Sequence, residues 1–274
     1  MTFVPNSIIT LTTDFGLDDP FIGIMKGVIL SVNPDARIVD ITHGVPPQNI
    51  LAGSMALQSS CSYFPKGTIH IAVVDPGVGS NRRPLLAVGD RYAFVGPDNG
   101  LLSPSIQSQK DVRVFHLTES LFFLKPVSQT FHGRDVFAPV AAWLSRGKAP
   151  EAFGQLIEDW VWLHWPGPTR SAEGLEGTVL RVDHFGNLIT NISAADLAYL
   201  STSPSTLEIR IGKHTVHRFC ASYAEANAGE PFGIMGSADL LEISVKQRSA
   251  AALLGVSPGE KFELRFCLTE EALR

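Results

Sequence analysis

The sequence predicts an α/β N-terminal domain with a mostly parallel central sheet, followed by a smaller, all-β, barrel-like C-terminal domain. Up to about Arg146, apolar runs of strand length alternate with helix-length patterns. The second half consists of short alternating segments separated by Gly, Asn and Ser. Two prolines and a glycine interrupt the chain between the halves, at positions 165–168. We therefore expect an α/β domain over residues 1–164, a linker at 165–174 and a β domain over 175–274.

In the first half, β-branched and apolar runs predict strands at Ile8–Thr12, Arg37–Ile41 and Thr68–Val74. Between these strands, apolar residues at helical spacing predict helices at Phe21–Val32 and Gln48–Tyr63. The third strand is almost wholly apolar, which is typical of a parallel strand buried on both faces. The order strand, helix, strand, helix, strand indicates βαβ units.

The second half changes period, because its apolar residues alternate with polar ones instead of recurring at helical spacing. This pattern predicts an antiparallel sheet or small barrel. The expected strands are Gly177–Asp183, Leu188–Ile192, Thr206–Ile211, Thr215–Phe219, Leu240–Val245 and Lys261–Phe266.

Composition excludes several classes of protein. The chain has 274 residues, of which 45% are apolar and 18% charged, so it has enough apolar material for a folded core. The net charge is −5 and Lys and Arg form no run, which argues against a nucleic-acid partner. No 18-residue apolar stretch or signal pattern indicates a membrane partner. Three distant cysteines, Cys61, Cys220 and Cys267, argue against a disulfide framework or zinc site and favour the cytoplasm.

Polar clusters follow three strands of the predicted parallel sheet, where ligands bind in such folds. The clusters are Thr12-Thr13-Asp14, Thr42-His43-Gly44 and the loop Asp75–Arg83. Each could be an ordinary turn, but their convergence favours a functional site. Gly77 and Gly79 would let the backbone approach a ligand closely, although the loop matches neither a Walker A motif nor a dinucleotide fingerprint. Its carboxylate and two guanidiniums form either a surface ion pair or a polar pocket for water or an anion.

Three further segments of the sequence contain histidine. Phe131–Asp135 precedes an apolar helix for which Asp135 is a candidate N-cap. His132 would then either face an anion at the helix N-terminus or bond nearby backbone. Asp183–Asn187 is either a hairpin turn or an aromatic face and amide suited to a nucleobase. His214 and His217 would point to opposite faces of a strand, which argues against a metal pair.

Five segments occur along nearly the whole chain in a characteristic order. They are Thr12–Gly16, Val74–Gly79, Gly96–Leu102, Phe131–Asp135 and Asp183–Asn191. In these segments the chain resembles the S-adenosyl-L-methionine (SAM) hydroxide adenosyltransferases, or SAM hydrolases, which are related to the fluorinase and chlorinase. The resemblance implies an N-terminal α/β domain, a C-terminal β-barrel-like domain and a homotrimer with sites at subunit interfaces.

The resemblance also implies an activity, the conversion of SAM and water to adenosine and methionine. It assigns catalysis to Asp75, Arg82 and His132, ribose binding to Asp14, adenine binding to Phe185 and Asn187, and methionine binding to Asp183 and Ser237. In halogenating relatives a tyrosine stands at the position of Asp75, so the aspartate favours hydroxide over halide. No metal or cofactor is required.

The expected mechanism is in-line attack of water at C5′, with methionine as the neutral leaving group. Arg82 would stabilise the developing hydroxide. Asp75 or His132 would orient the water or take its proton, and the sequence does not distinguish between the two. Gly236 and Lys246 depart from the family pattern, where asparagines are usual, at the methionine end of the site.

Three alternatives remain at this point. The first is a halide-dependent adenosyltransferase of the same fold. The second is a non-catalytic protein that binds SAM or adenosine, which the two departures at Gly236 and Lys246 would suit. The third and weakest is a metal-dependent hydrolase with a ligand set drawn from Asp14, Asp18, Asp19 and His43.

Overall fold

The computed structural model describes residues 3–171, 173–199 and 207–266. The chain divides into a first unit, Met1–His164, and a second unit, Trp165–Arg274. Cys267 and Thr206, which the sequence analysis considered, lie outside the described residues. Within those described ranges, no helix is both long and apolar enough to cross a membrane.

The first unit is built on a sheet of seven strands among its described residues. Its strands are β1 Ile8–Thr13, β2 Arg37–Thr42, β3 Ile69–Val73, β4 Pro84–Val88, β5 Ala93–Pro97, β6 Arg113–Leu117 and β7 Gly154–Ile157. Its helices are α1 Phe21–Val32, α2 Ile50–Cys61, α3 Ser103–Gln107 and α4 Ala138–Ser145. Short 3₁₀ turns lie at Ser120–Phe122 and Pro150–Phe153, and a π-helical turn at Gly133–Phe137 precedes α4.

The sheet has the order β2-β1-β3-β5-β4-β6-β7 and is mixed. The strands β2, β1, β3 and β5 run parallel, whereas β4 pairs antiparallel with both β5 and β6, and β7 with β6. The expectation of a mostly parallel sheet was therefore wrong. An apolar run indicates that a strand is buried on both faces, but it does not indicate the direction of the strand. The strands β4 and β5 are buried on both faces and nevertheless form an antiparallel pair.

Helices cover both faces of this sheet, which explains why β3 has no polar face. Ile71 and Val73 pack into a core with α1 and α4. The alternate residue Ala72, together with Val74 just beyond the strand, packs into a second core with α2 and α3. Successive side chains of a strand point to opposite faces, so both sets are buried and, apart from His70, apolar.

The second unit forms a curled, largely antiparallel sheet. Its described strands are β8 Thr169–Ser171, β9 Gly174–Val182, β10 Leu188–Ser193, β11 Leu207–Ile211, β12 His214–Val216, β13 Phe219–Cys220, β14 Pro231–Met235, β15 Leu240–Val245 and β16 Lys261–Phe266. The order is β12-β11-β16-β9-β10-β15-β14-β13, with β8 paired to β9 and only β13 and β14 parallel. β12 also contacts β14, so the sheet curls towards itself without a described strand pairing that closes it.

The second unit differs from expectation in several features, and the expected strand Thr215–Phe219 is divided between β12 and β13. Two short helices, α5 Ala194–Tyr199 and α6 Ala250–Leu254, interrupt it, so it is not all-β. The strand β14 was missed, because its sequence Pro-Phe-Gly-Ile-Met lacks polar alternation. Residues 169–171, which were assigned to the linker, form β8.

Candidate active site

The carboxyl ends of the parallel strands bring the first predicted clusters to one edge of the sheet. β1 pairs with β3 so that Thr13 lies opposite Val73, and Asp14 and Val74-Asp75 follow directly. One carboxylate oxygen of Asp14, Oδ2, accepts a 2.8 Å hydrogen bond from the backbone N–H of Gln48. The half-buried Asp14 is thereby fixed at the edge where this fold class binds ligands.

Asp75, Arg82 and His132 form one hydrogen-bonded network. The Arg82 guanidinium holds the Asp75 carboxylate in a two-pronged contact, with Nε 2.9 Å from Oδ1 and Nη2 bonded to Oδ2. The same Nη2 lies 2.8 Å from Nδ1 of His132. The Arg82 and Asp75 side chains are only 8% and 6% exposed, so this is a buried ion pair and not the surface pair considered from sequence. Nη1 of Arg82 is buried with no hydrogen-bond partner among the described residues.

The contact with Arg82 determines the protonation of His132. Arginine only donates hydrogen bonds, so Nδ1 of His132 must accept, and the neutral ring then carries its proton on Nε2. Burial lowers the pKa of His132 below its usual 6.5, and the Arg82 charge lowers it further. A hydrogen bond from the ring to the backbone of Ser128 partly opposes this shift, and the ring is neutral at pH 7.

Glycine brings the Asp75–Arg83 loop close to the segment that precedes His132. Gly79 has a φ of 77°, and a Cβ there would overlap the backbone carbonyl oxygen of Gln129. From the sequence, Gly77 and Gly79 were expected to let the backbone approach a ligand closely. At Gly79 the close neighbour is instead the backbone of Gln129, so this glycine allows the loop to pack against that segment.

A second ion pair fixes the far end of the loop. Nε of Arg83 donates to Oδ2 of Asp98 at 2.8 Å, and the backbone N–H of Asp98 donates to the carbonyl of Arg83 at 2.9 Å. The other oxygen of Asp98 accepts from the backbone N–H of Val161 at 2.7 Å. Of the two guanidiniums predicted for the pocket, only that of Arg82 is in the network with Asp75 and His132, whereas that of Arg83 bonds the carboxylates of Asp98 and Asp159.

The segment that carries His132 is held by aromatic and ionic packing. Phe131 packs edge-to-face against Phe15 and Phe21, with ring centroids 5.9 and 5.2 Å away. The residue before His132 is therefore in contact with the residue after Asp14. His132 directly precedes the π-helical turn, a feature frequent at functional sites. Asp135 lies inside this turn and accepts from the backbone N–H of Ser128, so its expected role as an N-cap was wrong.

His43 is buried beside Thr13, the residue before Asp14. Its Nδ1 is 2.8 Å from the hydroxyl of Thr13, and its Nε2 is 3.2 Å from Oδ1 of Asp40. Asp40 also pairs with Lys26 at 2.6 Å. The candidate metal set of Asp14, Asp18, Asp19 and His43 does not come together as ligands, and no described group of three His, Cys, Asp or Glu side chains is arranged to hold a metal.

The remaining predicted residues line one pocket of the second unit, with a volume of about 1020 Å³. Asp183–Asn187 is a tight turn between β9 and β10, as the hairpin interpretation predicted. Phe185 is 76% exposed at its tip, whereas Asn187 is buried and its Nδ2 donates to Oδ2 of Asp183 at 2.8 Å. Ser237 lies in the turn between β14 and β15 and borders the same pocket. The pocket therefore brings together an aromatic face, an amide, a carboxylate and a hydroxyl.

Sequence reasoning missed Glu242, which also lines this pocket. It lies on β15, and its Oε2 accepts from the hydroxyl of Tyr223 at 3.1 Å. Burial raises the pKa of Glu242, and nearby Asp183 raises it further. A single charged residue in the strand Leu240–Val245, which is otherwise apolar except for Ser244, was the available signal.

Lys246 and His217, both singled out in the sequence, have local partners. Nζ of Lys246 donates to the carbonyls of Ala224 and Ala226 at 3.2 and 3.0 Å, which connects the end of β15 to the loop between β13 and β14. His217 lies beyond the end of β12, with Nδ1 3.5 Å from Glu208.

Both units match models of a known protein family. The family model of the SAM hydroxide adenosyltransferase N-terminal domain matches residues 9–154, and the model of the C-terminal domain matches residues 177–263. The chain belongs to the SAM hydroxide adenosyltransferase family. This confirms the resemblance found in the sequence.

Individual proteins also match the chain over most of its length. A Thermus thermophilus protein named (R)-S-adenosyl-L-methionine hydrolase is 37% identical, covering 90% of this chain and 95% of that one. One from Salinispora tropica with the same name is 38% identical, covering 95% and 98%. The crystal structure of an uncharacterised Thermotoga maritima protein superposes with a TM-score of 0.87 at 34% identity, covering 94% of this chain and 99% of that one.

Proposed function

We propose that this protein hydrolyses SAM to adenosine and L-methionine. The observation that carries the proposal is the buried network in which Arg82 bonds Asp75 and His132 at the carboxyl edge of the sheet. The names of the two relatives support the same reaction. Asp14, Asp183, Phe185, Asn187 and Ser237 are proposed to bind the substrate.

In the proposed reaction, water attacks C5′ in line with the sulfonium. The C5′–O bond forms as the C5′–S bond breaks, and the electron pair of the broken bond stays on the sulfur of methionine. Opposite charges, the sulfonium and the incipient hydroxide, neutralise each other in the transition state. Arg82 stabilises the hydroxide character that develops on the water, and positioning by the network lowers the entropic cost.

We place the proton acceptor at Asp75 and not at His132. Nδ1 of His132 already accepts from Arg82, and its Nε2 carries the proton, so neither nitrogen is free to act as a base. The oxygens of Asp75 bind Arg82 but each retains acceptor capacity, because a carboxylate offers about four lone-pair positions. His132 instead holds the Arg82 guanidinium in position beside Asp75.

The proposal is tested by incubating the protein with SAM in heavy-oxygen water and analysing the products by mass spectrometry. We expect adenosine with one labelled oxygen at its 5′ position, together with unlabelled methionine. A 5′-halo-adenosine formed only with halide would establish the halide-dependent alternative. Tight SAM binding without product would establish a sensor.

Assembly and location are two further proposals. We propose a homotrimer with sites at subunit interfaces, on the basis of the family resemblance, and light scattering in solution tests its mass. A cytoplasmic location is supported by two buried thiols, Cys61 and Cys220, which are free in the structure.

A further inference from the structure

The two carboxylates in the pocket of the second unit differ in how far their oxygens are already used. Oδ1 of Asp183 accepts from the backbone N–H groups of Phe185 and Asn187 at 2.9 and 2.8 Å. Its Oδ2 accepts from the side chain of Asn187 at 2.8 Å. A carboxylate offers about four acceptor positions, so Asp183 spends about three of them on its own turn.

Glu242 has more acceptor capacity left. Its Oε2 bonds the Tyr223 hydroxyl, and no donor among the described residues bonds Oε1. Both residues line the same cavity. The carboxylate with the larger unused capacity in this pocket is therefore Glu242.

The position of Glu242 depends on the residue at 236. A Cβ at Gly236 would overlap Oε1 of Glu242 and lie 2.5 Å from its Cδ. The backbone at this position does not require glycine, because Gly236 is not among the residues of positive φ. Gly236 is needed for space, and it permits the Glu242 carboxylate to lie against the turn that carries Ser237. The departure from asparagine at position 236 thus has a structural consequence inside the pocket.

We propose that Glu242, accommodated by Gly236 and held by Tyr223, is a specificity-determining residue that binds the α-ammonium group of the substrate's amino-acid part. The inference rests on the proposed function and deepens it. An ammonium has three donors, which match the free Oε1 of Glu242 and the remaining acceptor position of Asp183. A pocket built to receive an N–H group rejects an analogue that lacks it, because a polar group is then left unpaired.

The test compares Glu242→Gln with the wild type on two substrates. One is SAM, and the other is the S-adenosyl analogue in which hydrogen replaces the α-amino group. Gln keeps the bond to Tyr223 but removes the charge. We expect KM for SAM to rise about ten- to hundredfold, with kcat within about threefold and KM for the analogue almost unchanged. Glu176→Gln, which removes a surface carboxylate that pairs with Lys261, is the matched control and should change neither constant.

A second variant tests the space that Gly236 provides. Gly236→Ala should displace the Glu242 carboxylate and also raise KM for SAM. Because both changes act on one contact, the double variant should be little worse than Glu242→Gln alone.

The outcomes separate the inference from the proposed function. If Glu242→Gln hydrolyses SAM with unchanged preference over the analogue, the inference is wrong and the function stands. If the wild type does not hydrolyse SAM, the proposed function is wrong. The inference is then decided by calorimetry, where equal affinity of wild type and Glu242→Gln for SAM would overturn it.

Discussion

The guanidinium of Arg82 makes contacts that a lysine ammonium cannot make together. It spans both oxygens of Asp75 and reaches Nδ1 of His132 from one planar group. The substitution Arg82→Lys keeps the positive charge but removes the planar group that bonds both oxygens of Asp75. We expect kcat for SAM hydrolysis to fall on the order of a hundredfold, with a smaller change in KM. Arg91→Lys is the control, since Arg91 lies exposed over the ring of Tyr92. Turnover close to the wild-type value in Arg82→Lys would contradict the role given to the network.

The protonation of His132 predicts an acidic limb in the pH profile. Neutral His132 accepts from Arg82, whereas a protonated ring cannot, so activity is present above its pKa and is lost as pH falls through it. Since that pKa is lowered, the loss should fall below pH 6.5. In His132→Asn, the amide oxygen can replace Nδ1 and does not titrate. This variant should retain part of the activity without that limb. An unchanged limb would assign it to another group.

Some of the candidate residues could be predicted from the sequence pattern alone, and others could not. Asp14 and Asp75 follow from strand ends, because the carboxyl ends of parallel strands meet at one edge. His132 does not follow in this way. It lies 50 positions from Arg82, and only packing of the whole first unit brings them to 2.8 Å. The family resemblance supplied that association. Glu242 was missed because its place in the pocket depends on the space beside Gly236, which has no side chain.

At the scale of elements, the docking of the Asp75–Arg83 loop depends on Gly79. Alanine there would have a φ of 77° and would overlap the carbonyl of Gln129, three residues before His132. We expect Gly79→Ala to lower stability by about 1–3 kcal/mol and kcat by at least tenfold, because the loop must move away from His132. Thermal unfolding and steady-state kinetics measure the two effects.

Gly147→Ala separates the two causes of that loss. Gly147 has a φ of 85° with no atom near its Cβ position, so alanine there meets backbone strain without overlap. It should cost about 1 kcal/mol of stability and leave kcat unchanged. Equal effects of the two substitutions on kcat would show that Gly79 does not dock the loop.

Elements set by local pattern were predicted closely, and the direction of strands was not. The predicted bounds of α1, β15 and β16 match the structure, because apolar periodicity is a property of adjacent residues. The antiparallel half of the first sheet was missed. Only four residues join β4 to β5, which is too short for a parallel crossover and indicates a hairpin. Connection length, and not apolarity, carries the information about strand direction.

At the scale of the whole molecule, the first unit encloses a histidine that governs its response to acid. His70 on β3 is fully buried, with Nδ1 2.7 Å from the hydroxyl of Thr10 and its ring stacked on Phe94. Desolvation lowers the pKa of His70 from 6.5 to about 3. The unfolded chain therefore binds a proton near pH 6.5 that the folded chain does not bind until about pH 3.

This difference makes the stability of the first unit depend on pH. As pH falls from about 6.5 to 3, His70 alone should lower the free energy of unfolding by about 1.4 kcal/mol per pH unit, or about 5 kcal/mol in all. His70→Gln keeps a neutral polar side chain at the same place and removes the titration. Urea unfolding at pH 6, 5 and 4.5 should give a shallower decline for this variant, whatever its stability at pH 7. His214→Gln on β12 of the second unit should follow the wild type, and parallel declines for wild type and His70→Gln would show that His70 is protonated in the folded protein.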